Sequence, residues 1–138
     1  MTTWRPLDHK ADFAFEVEAE DIPSLLAAAV LAAMDCEFGL DSLLPRHKVV
    51  VELARDDPEM QLFAALSEVV FLVDARGLLP AKAQATAAPD GAVRLELWCD
   101  HLDPSRHDAH VVFKAPTLHG LKVEPFSGGV RARVVMDT

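Results

Sequence analysis

The chain has 138 residues, of which 51% are hydrophobic and 25% charged, and its formal net charge is −9 at pH 7. These values describe one folded domain over residues 1–138 and exclude an intrinsically disordered chain. The acidic balance excludes a whole-protein basic footprint for RNA or DNA and leaves binding to a basic protein partner open.

The first six residues, Met1 to Pro6, contain no apolar segment of the signal-peptide kind, so a cytoplasmic protein is expected. Phe13, Phe15, Val17 and Ala19 alternate with Ala14, Glu16 and Glu18, which predicts a half-buried strand. Asp21 can cap a helix, with Pro23 tolerated in its first turn. Leu25, Leu26, Ala29, Val30, Ala33 and Met34 recur at helical spacing, and Gly39 supplies a stop. The Leu25–Met34 run is too short to span a membrane.

A second strand follows at Val49, Val51 and Leu53. Asp56-Asp57-Pro58-Glu59 then opens a second helix with an apolar stripe of Leu62, Phe63, Leu66, Val69, Val70 and Val73, ending at Gly77. From Pro80 the pattern changes to period two. A weak strand at Ala83–Ala87, the turn Pro89-Asp90-Gly91 and a strand at Val93–Leu97 form a hairpin. Residues 100–108 read as a polar loop or short helix. Further strands are predicted around Val111 and Phe113, around Leu121 and Val123, and from Val130 to Met136 after the turn Ser127-Gly128-Gly129. This order predicts an α+β fold of two layers. Two helices pack on one face of a mixed, largely antiparallel sheet, with both termini in strands.

Two acidic ends carry the chemistry. Asp8-His9-Lys10-Ala11-Asp12 precedes the first predicted strand, and Asp137-Thr138 follows the last. If the terminal strands are neighbours, Asp12, Asp137 and a terminal carboxylate supply hard oxygen donors. Such donors suit Ca²⁺, Mg²⁺ or Mn²⁺. Solvated strand-end carboxylates are the ordinary alternative. His101, His107 and His110 surround a loop without a CxxC or HExxH companion, a weak zinc pattern. Cys36 and Cys99 form no metal motif and no disulfide framework, and are expected as reduced, mostly buried thiols. Trp4 and Trp98 are either exposed partner anchors or core or rim aromatics. No phosphate-binding glycine loop or nucleophile motif is present.

Five segments in order resemble the archease family. They are Asp8-His9-Lys10-Ala11-Asp12, Leu72-Val73-Asp74-Ala75-Arg76-Gly77, Asp103-Pro104-Ser105-Arg106-His107, Lys114-Ala115-Pro116-Thr117-Leu118-His119-Gly120-Leu121, and the closing Asp137-Thr138. Lys10, Leu118 and Thr138 depart from the usual Thr, Tyr and Ile of these patterns.

The resemblance implies a non-enzymatic accessory protein of a GTP-dependent RNA ligase. That ligase joins RNA 2′,3′-cyclic-phosphate or 3′-phosphate ends to 5′-hydroxyl ends in tRNA splicing or RNA repair. The accessory protein would promote ligase guanylylation and repeated turnover. The resemblance also implies metal ligation by Asp12, Asp137 and Thr138, with Ca²⁺ expected first and Mg²⁺ or Mn²⁺ as alternatives. Lys114 would act as a functional cation near that site. His9, His107 and His119 are either partner contacts or locally bonded turn histidines. Strong direct nucleic-acid binding and membrane insertion are not expected, and the oligomeric state is left open. The rival readings are a chaperone-like or tRNA-modification helper and a small metal-dependent hydrolase.

Overall fold

The computed structural model describes residues 2–7 and 12–138. The strands and helices in chain order are β1 (Thr3–Leu7), β2 (Phe13–Ala19), α1 (Ile22–Phe38), β3 (His47–Leu53), α2 (Pro58–Arg76), β4 (Leu78–Ala87), β5 (Val93–His101), β6 (Ala115–Pro116), β7 (Lys122–Phe126) and β8 (Gly129–Asp137).

Helix ends follow local chemistry. The Asp21 carboxylate accepts the Ser24 N–H at 2.9 Å, capping α1, and Pro23 sits in the first turn. α2 ends because Gly77 adopts a left-handed φ of +60°, where its N–H reaches the carbonyls of Leu72 and Val73.

The expected class holds: two helices pack on antiparallel sheet, and both chain ends lie in strands. The expected single sheet, however, is two sheets. Five strands run β1-β2-β8-β6 with β7 also on β8, and three run β3-β5-β4. Every strand pair is antiparallel. α1 packs against β4 of one sheet and β1, β2 and β8 of the other, while α2 meets β3 and β4 on one side and β6 and β7 on the other. The helix pair therefore lies between the sheets. This placement explains the composition of α1, in which Leu25 through Val30, Ala32, Ala33 and Met34 are all buried. A helix with apolar neighbours on all sides has no need of a polar face.

The sheets turn their charged faces outward. Arg5 pairs with Glu16, and Arg94 with Glu52. Lys48 and Lys82 both lie over the Trp98 ring, at 5.5 and 4.8 Å from its centroid. Trp98 is thus half-buried under two lysine stems, while the Trp4 indole N–H donates to Asp35 at 3.1 Å.

Two local expectations are corrected. β1 was not anticipated; it contains Pro6, which is tolerated because β1 is an edge strand. The strand expected at Val111 and Phe113 is irregular chain instead, because its amides are used elsewhere. His110 N–H donates to the Glu37 carbonyl at 2.6 Å, and Phe113 N–H to the Glu37 carboxylate at 3.2 Å. β6 begins two residues after Phe113. The β7–β8 hairpin turns at Gly128, with φ +95°. Gly129 must also be glycine, since a Cβ there would lie 2.0 Å from the Ala19 carbonyl oxygen.

Candidate functional site

β8 is the central strand at the acidic end. Its register with β2 runs Ala14–Val135, then Phe13–Met136. One further step on each strand leads to Asp12 and Asp137. The alternation that puts Phe13 and Met136 toward the core puts Asp12 and Asp137 with Ala14 and Val135 on the other face. Asp137 and Thr138 are exposed, and Asp12 is half-buried.

β6 closes the other side of β8. Ala115 pairs with Asp137, and Lys114 N–H donates to the Asp137 carbonyl at 2.8 Å. Thr117 fastens the far end of this short strand, since its N–H and its hydroxyl both donate to the Val135 carbonyl, at 3.0 and 2.9 Å. Two bonds to one carbonyl compensate for a strand only two residues long. Asp12, Asp137, Thr138 and the exposed Lys114 consequently share one end of three adjacent strands.

The donors offered there are two carboxylates and the oxygens of Thr138. Hard oxygen donors fit a hard divalent cation and not a soft one. Among the described residues no three His, Cys, Asp or Glu side chains are grouped to hold a metal ion. A site here therefore depends on Thr138 or on water to add to the two aspartates. Asp8, His9, Lys10 and Ala11 lie outside the described residues.

His119 is exposed in the turn after β6, where its N–H donates to the Thr117 hydroxyl at 3.3 Å. Gly120, at φ +64°, makes that turn. His107, read as either a partner contact or a locally bonded histidine, is turned inward. It is 5% exposed, and both ring nitrogens are bonded inside. Nδ1 accepts the Asp103 N–H at 2.9 Å, so Nε2 carries the proton directed at Asp100 Oδ2, 3.1 Å away. Its ring meets Phe38 edge-on, with centroids 6.3 Å apart. His101 turns instead toward His47, at 5.6 Å between rings, and His110 is exposed.

His107 belongs to a cluster around Asp100, which is 1% exposed. Asp100 accepts from Arg106, from the Leu44 and His101 amides and from His107. Burial alone would raise its pKa. The Arg106 bonds and charge, with the Leu44 amide and His107, outweigh burial and hold it at about 2. The Asp103–His107 segment is therefore a structural clamp that folds the loop over the end of β5. Burial likewise raises Cys36 and Cys99 to about 11, which makes both poor nucleophiles at neutral pH.

Glu37 is an important residue that sequence reasoning passed over. It is 2% exposed, and its carboxylate holds the Phe113 amide one residue before Lys114. Burial raises its pKa to about 7, with a smaller contribution from the nearby charge of Asp74. Its spacing gave a signal: Glu37 stands four residues after Ala33 on the apolar stripe of α1.

Comparisons agree with this architecture. The family model described as the Archease protein family matches residues 4–138. A protein archease from Methanopyrus kandleri is 32% identical, with 97% of this chain and 98% of that protein covered. Another from Archaeoglobus fulgidus is 30% identical at the same coverage. The solution structure of Protein 1598 of Methanobacterium thermoautotrophicum superposes with a TM-score of 0.77 at 20% identity, covering 98% of each chain. A Thermotoga maritima crystal structure, described as an archease and possible chaperone, superposes with a TM-score of 0.71 at 18% identity over 97% of this chain and 96% of that one. With a family match across nearly its whole length, the chain belongs to the archease family.

Proposed function

We propose that this protein is a non-enzymatic activator of a GTP-dependent RNA ligase, working in the cytoplasm in tRNA splicing or RNA repair. It would act through a divalent-metal corner formed by Asp12, Asp137 and Thr138. Family membership supports the ligase partnership. The observation that carries the corner is the β2–β8 register, which leads to Asp12 and Asp137 as opposite neighbours.

The residues have separable roles in this reading. Asp12 and Asp137 supply anionic oxygens, and Thr138 adds its hydroxyl or backbone carbonyl oxygen. A bound divalent cation would supply positive charge for phosphate oxygens of the ligase-bound nucleotide. Lys114 is placed by its backbone bond to Asp137, which leaves its ammonium free to meet an anionic group of the partner. The −9 net charge suits a basic, nucleotide-handling surface. Ca²⁺ is the first candidate because its flexible shell accepts two carboxylates plus waters. Mg²⁺ or Mn²⁺ would demand a more regular set.

Guanylylation of the purified ligase, measured with and without this protein, tests the reading. Stimulation is expected, and it should be lost in Asp137→Ala. No stimulation by the folded wild-type protein would overturn the proposal. A chaperone role has in its favour the wording attached to the Thermotoga structure and a set of exposed large apolar residues, of which Phe71, Val112 and Leu118 are more than half exposed. Those three stand on α2, on the irregular chain before β6 and in the turn after β6, so they do not form one element's face.

A further inference from the structure

A cavity of about 320 Å³ opens where the C-terminal parts of α1 and α2 meet the chain after β5. Phe38, Val73, Leu102 and Val112 give it apolar walls, and the ionisable residues of its lining are Glu37, Asp74 and His107, the last already bonded to Asp100 and the Asp103 amide. Leu102 and Val112 are 43% and 55% exposed, so the apolar surface continues to the rim. It is separate from the Asp12–Asp137 corner in both its residues and its chemistry.

Glu37 is the unusual group. It is buried, yet among the described residues its carboxylate is held only by the Phe113 amide. Neither Glu37 nor Asp74 appears in any ion pair among the described residues. The two carboxylates repel, because the charge of Asp74 adds to the burial that raises Glu37. A buried carboxylate beside a second carboxylate, with no cation, is costly when ionised. A cation entering the cavity would remove that cost.

We infer that this cavity receives an arginine side chain from a protein partner, with the guanidinium between Glu37 and Asp74 and the alkyl stem against Leu102 and Val112. Arginine fits better than lysine for three reasons. Its planar, five-donor head can serve two carboxylates at once. It is less strongly hydrated than an ammonium and so enters an apolar cavity at lower cost. Phe38 also offers an aromatic surface to a planar cation. The inference does not depend on the ligase reading, since it concerns any protein partner that presents an arginine.

The test is a methyl NMR titration of the full chain with a capped tripeptide carrying a central arginine. The same peptide with citrulline or lysine at the centre provides the controls. Saturable shifts at the Leu102, Val112 and Val73 methyls are expected with arginine. Binding should be roughly tenfold weaker with citrulline, and weaker with lysine, because a charge-assisted pair is lost or poorly matched. Asp74→Asn should weaken arginine binding to a similar degree. Asp74 is exposed, so this variant should fold. Glu37→Gln, which keeps an acceptor for the Phe113 amide, should do the same. Equal binding of arginine and citrulline would overturn the inference, as would equal binding of arginine and lysine. It also fails if the wild-type chain gives no saturable shifts, or if both variants bind like wild type.

Discussion

Lys114 donates its backbone N–H to the carbonyl of Asp137 at 2.8 Å, which ties the start of β6 to the end of β8 through main chain alone. The side chains of both residues are therefore dispensable for the fold at this point. Asp137→Ala should leave stability within about 0.5 kcal/mol of wild type, the usual range for an exposed position. On the proposed metal reading it should weaken divalent-cation affinity by roughly tenfold or more, because one of the two aspartate donors of that corner is removed. Calorimetric titration with Ca²⁺ and a denaturant melt of the same variant give both readings. Unchanged Ca²⁺ affinity would remove Asp137 from the metal corner.

Lys114→Ala separates charge from coordination. Its amide still bonds Asp137, so metal affinity should change little, while stimulation of ligase guanylylation should fall. The measurement is an activation curve against activator concentration, with Ca²⁺ affinity determined in parallel. A superimposable activation curve would reduce Lys114 to a solvated lysine.

The parts of this arrangement legible in sequence are those set by local rules. Asp21, Gly39 and Gly77 bound the helices because caps and left-handed glycines act within a few residues. The pairing of the first alternating strand with the last was expected from their apolar alternation, and β2 does pair with β8. The division into two sheets was not legible, because pairings such as His47 with Cys99 join distant segments. Phe113 lay in an alternating pattern but lost its ladder to a glutamate 76 residues earlier. His107 sat in a polar stretch. Its burial depends on Asp100, which itself depends on the distant Leu44 amide.

Glu37 should make stability fall as pH rises. Its folded pKa, about 7, is above the ordinary 4.5, so the folded state keeps the proton longer than the unfolded state. The penalty is absent below pH 4.5, grows between 4.5 and 7, and is complete above 7. The linked upper bound is about 3 kcal/mol. Glu37→Gln removes the charge while keeping an acceptor for the Phe113 amide. It should be more stable than wild type at pH 8 and match it near pH 4 in urea melts. A Gln variant that is less stable at pH 8 would show that the ionised carboxylate is satisfied in the fold.

Asp100 should act in the opposite sense. Its folded pKa, about 2, lies below the ordinary 3.8. Its contribution is fully present above pH 3.8 and is lost as pH falls toward 2, by about 2 kcal/mol. His107→Ala should cost about 2–4 kcal/mol at neutral pH, since it empties a buried ring site and leaves the Asp103 amide and one Asp100 bond unmet. Denaturant melts of both forms across acid pH check this. If His107→Ala costs less than a surface substitution, the clamp does not hold the loop.

Association with the ligase should weaken as salt rises. The chain carries 13 Lys and Arg against 22 Asp and Glu, and the proposed contact region ends in acidic residues. A partner that holds GTP and RNA must present basic surface around those polyanions. Attraction between such surfaces acts chiefly on the rate of encounter, and the screening length is about 8 Å at physiological ionic strength. Added salt should therefore slow association more than it speeds dissociation. Direct RNA binding should stay weak at every salt concentration, because few cations are available to displace counterions. Surface-plasmon kinetics over a salt series, with the ligase and with RNA as separate ligands, distinguish the cases. Tight RNA binding by the isolated protein together with a salt-independent ligase on-rate would reverse the electrostatic account. Recognition would then have to run through apolar contacts or through RNA itself.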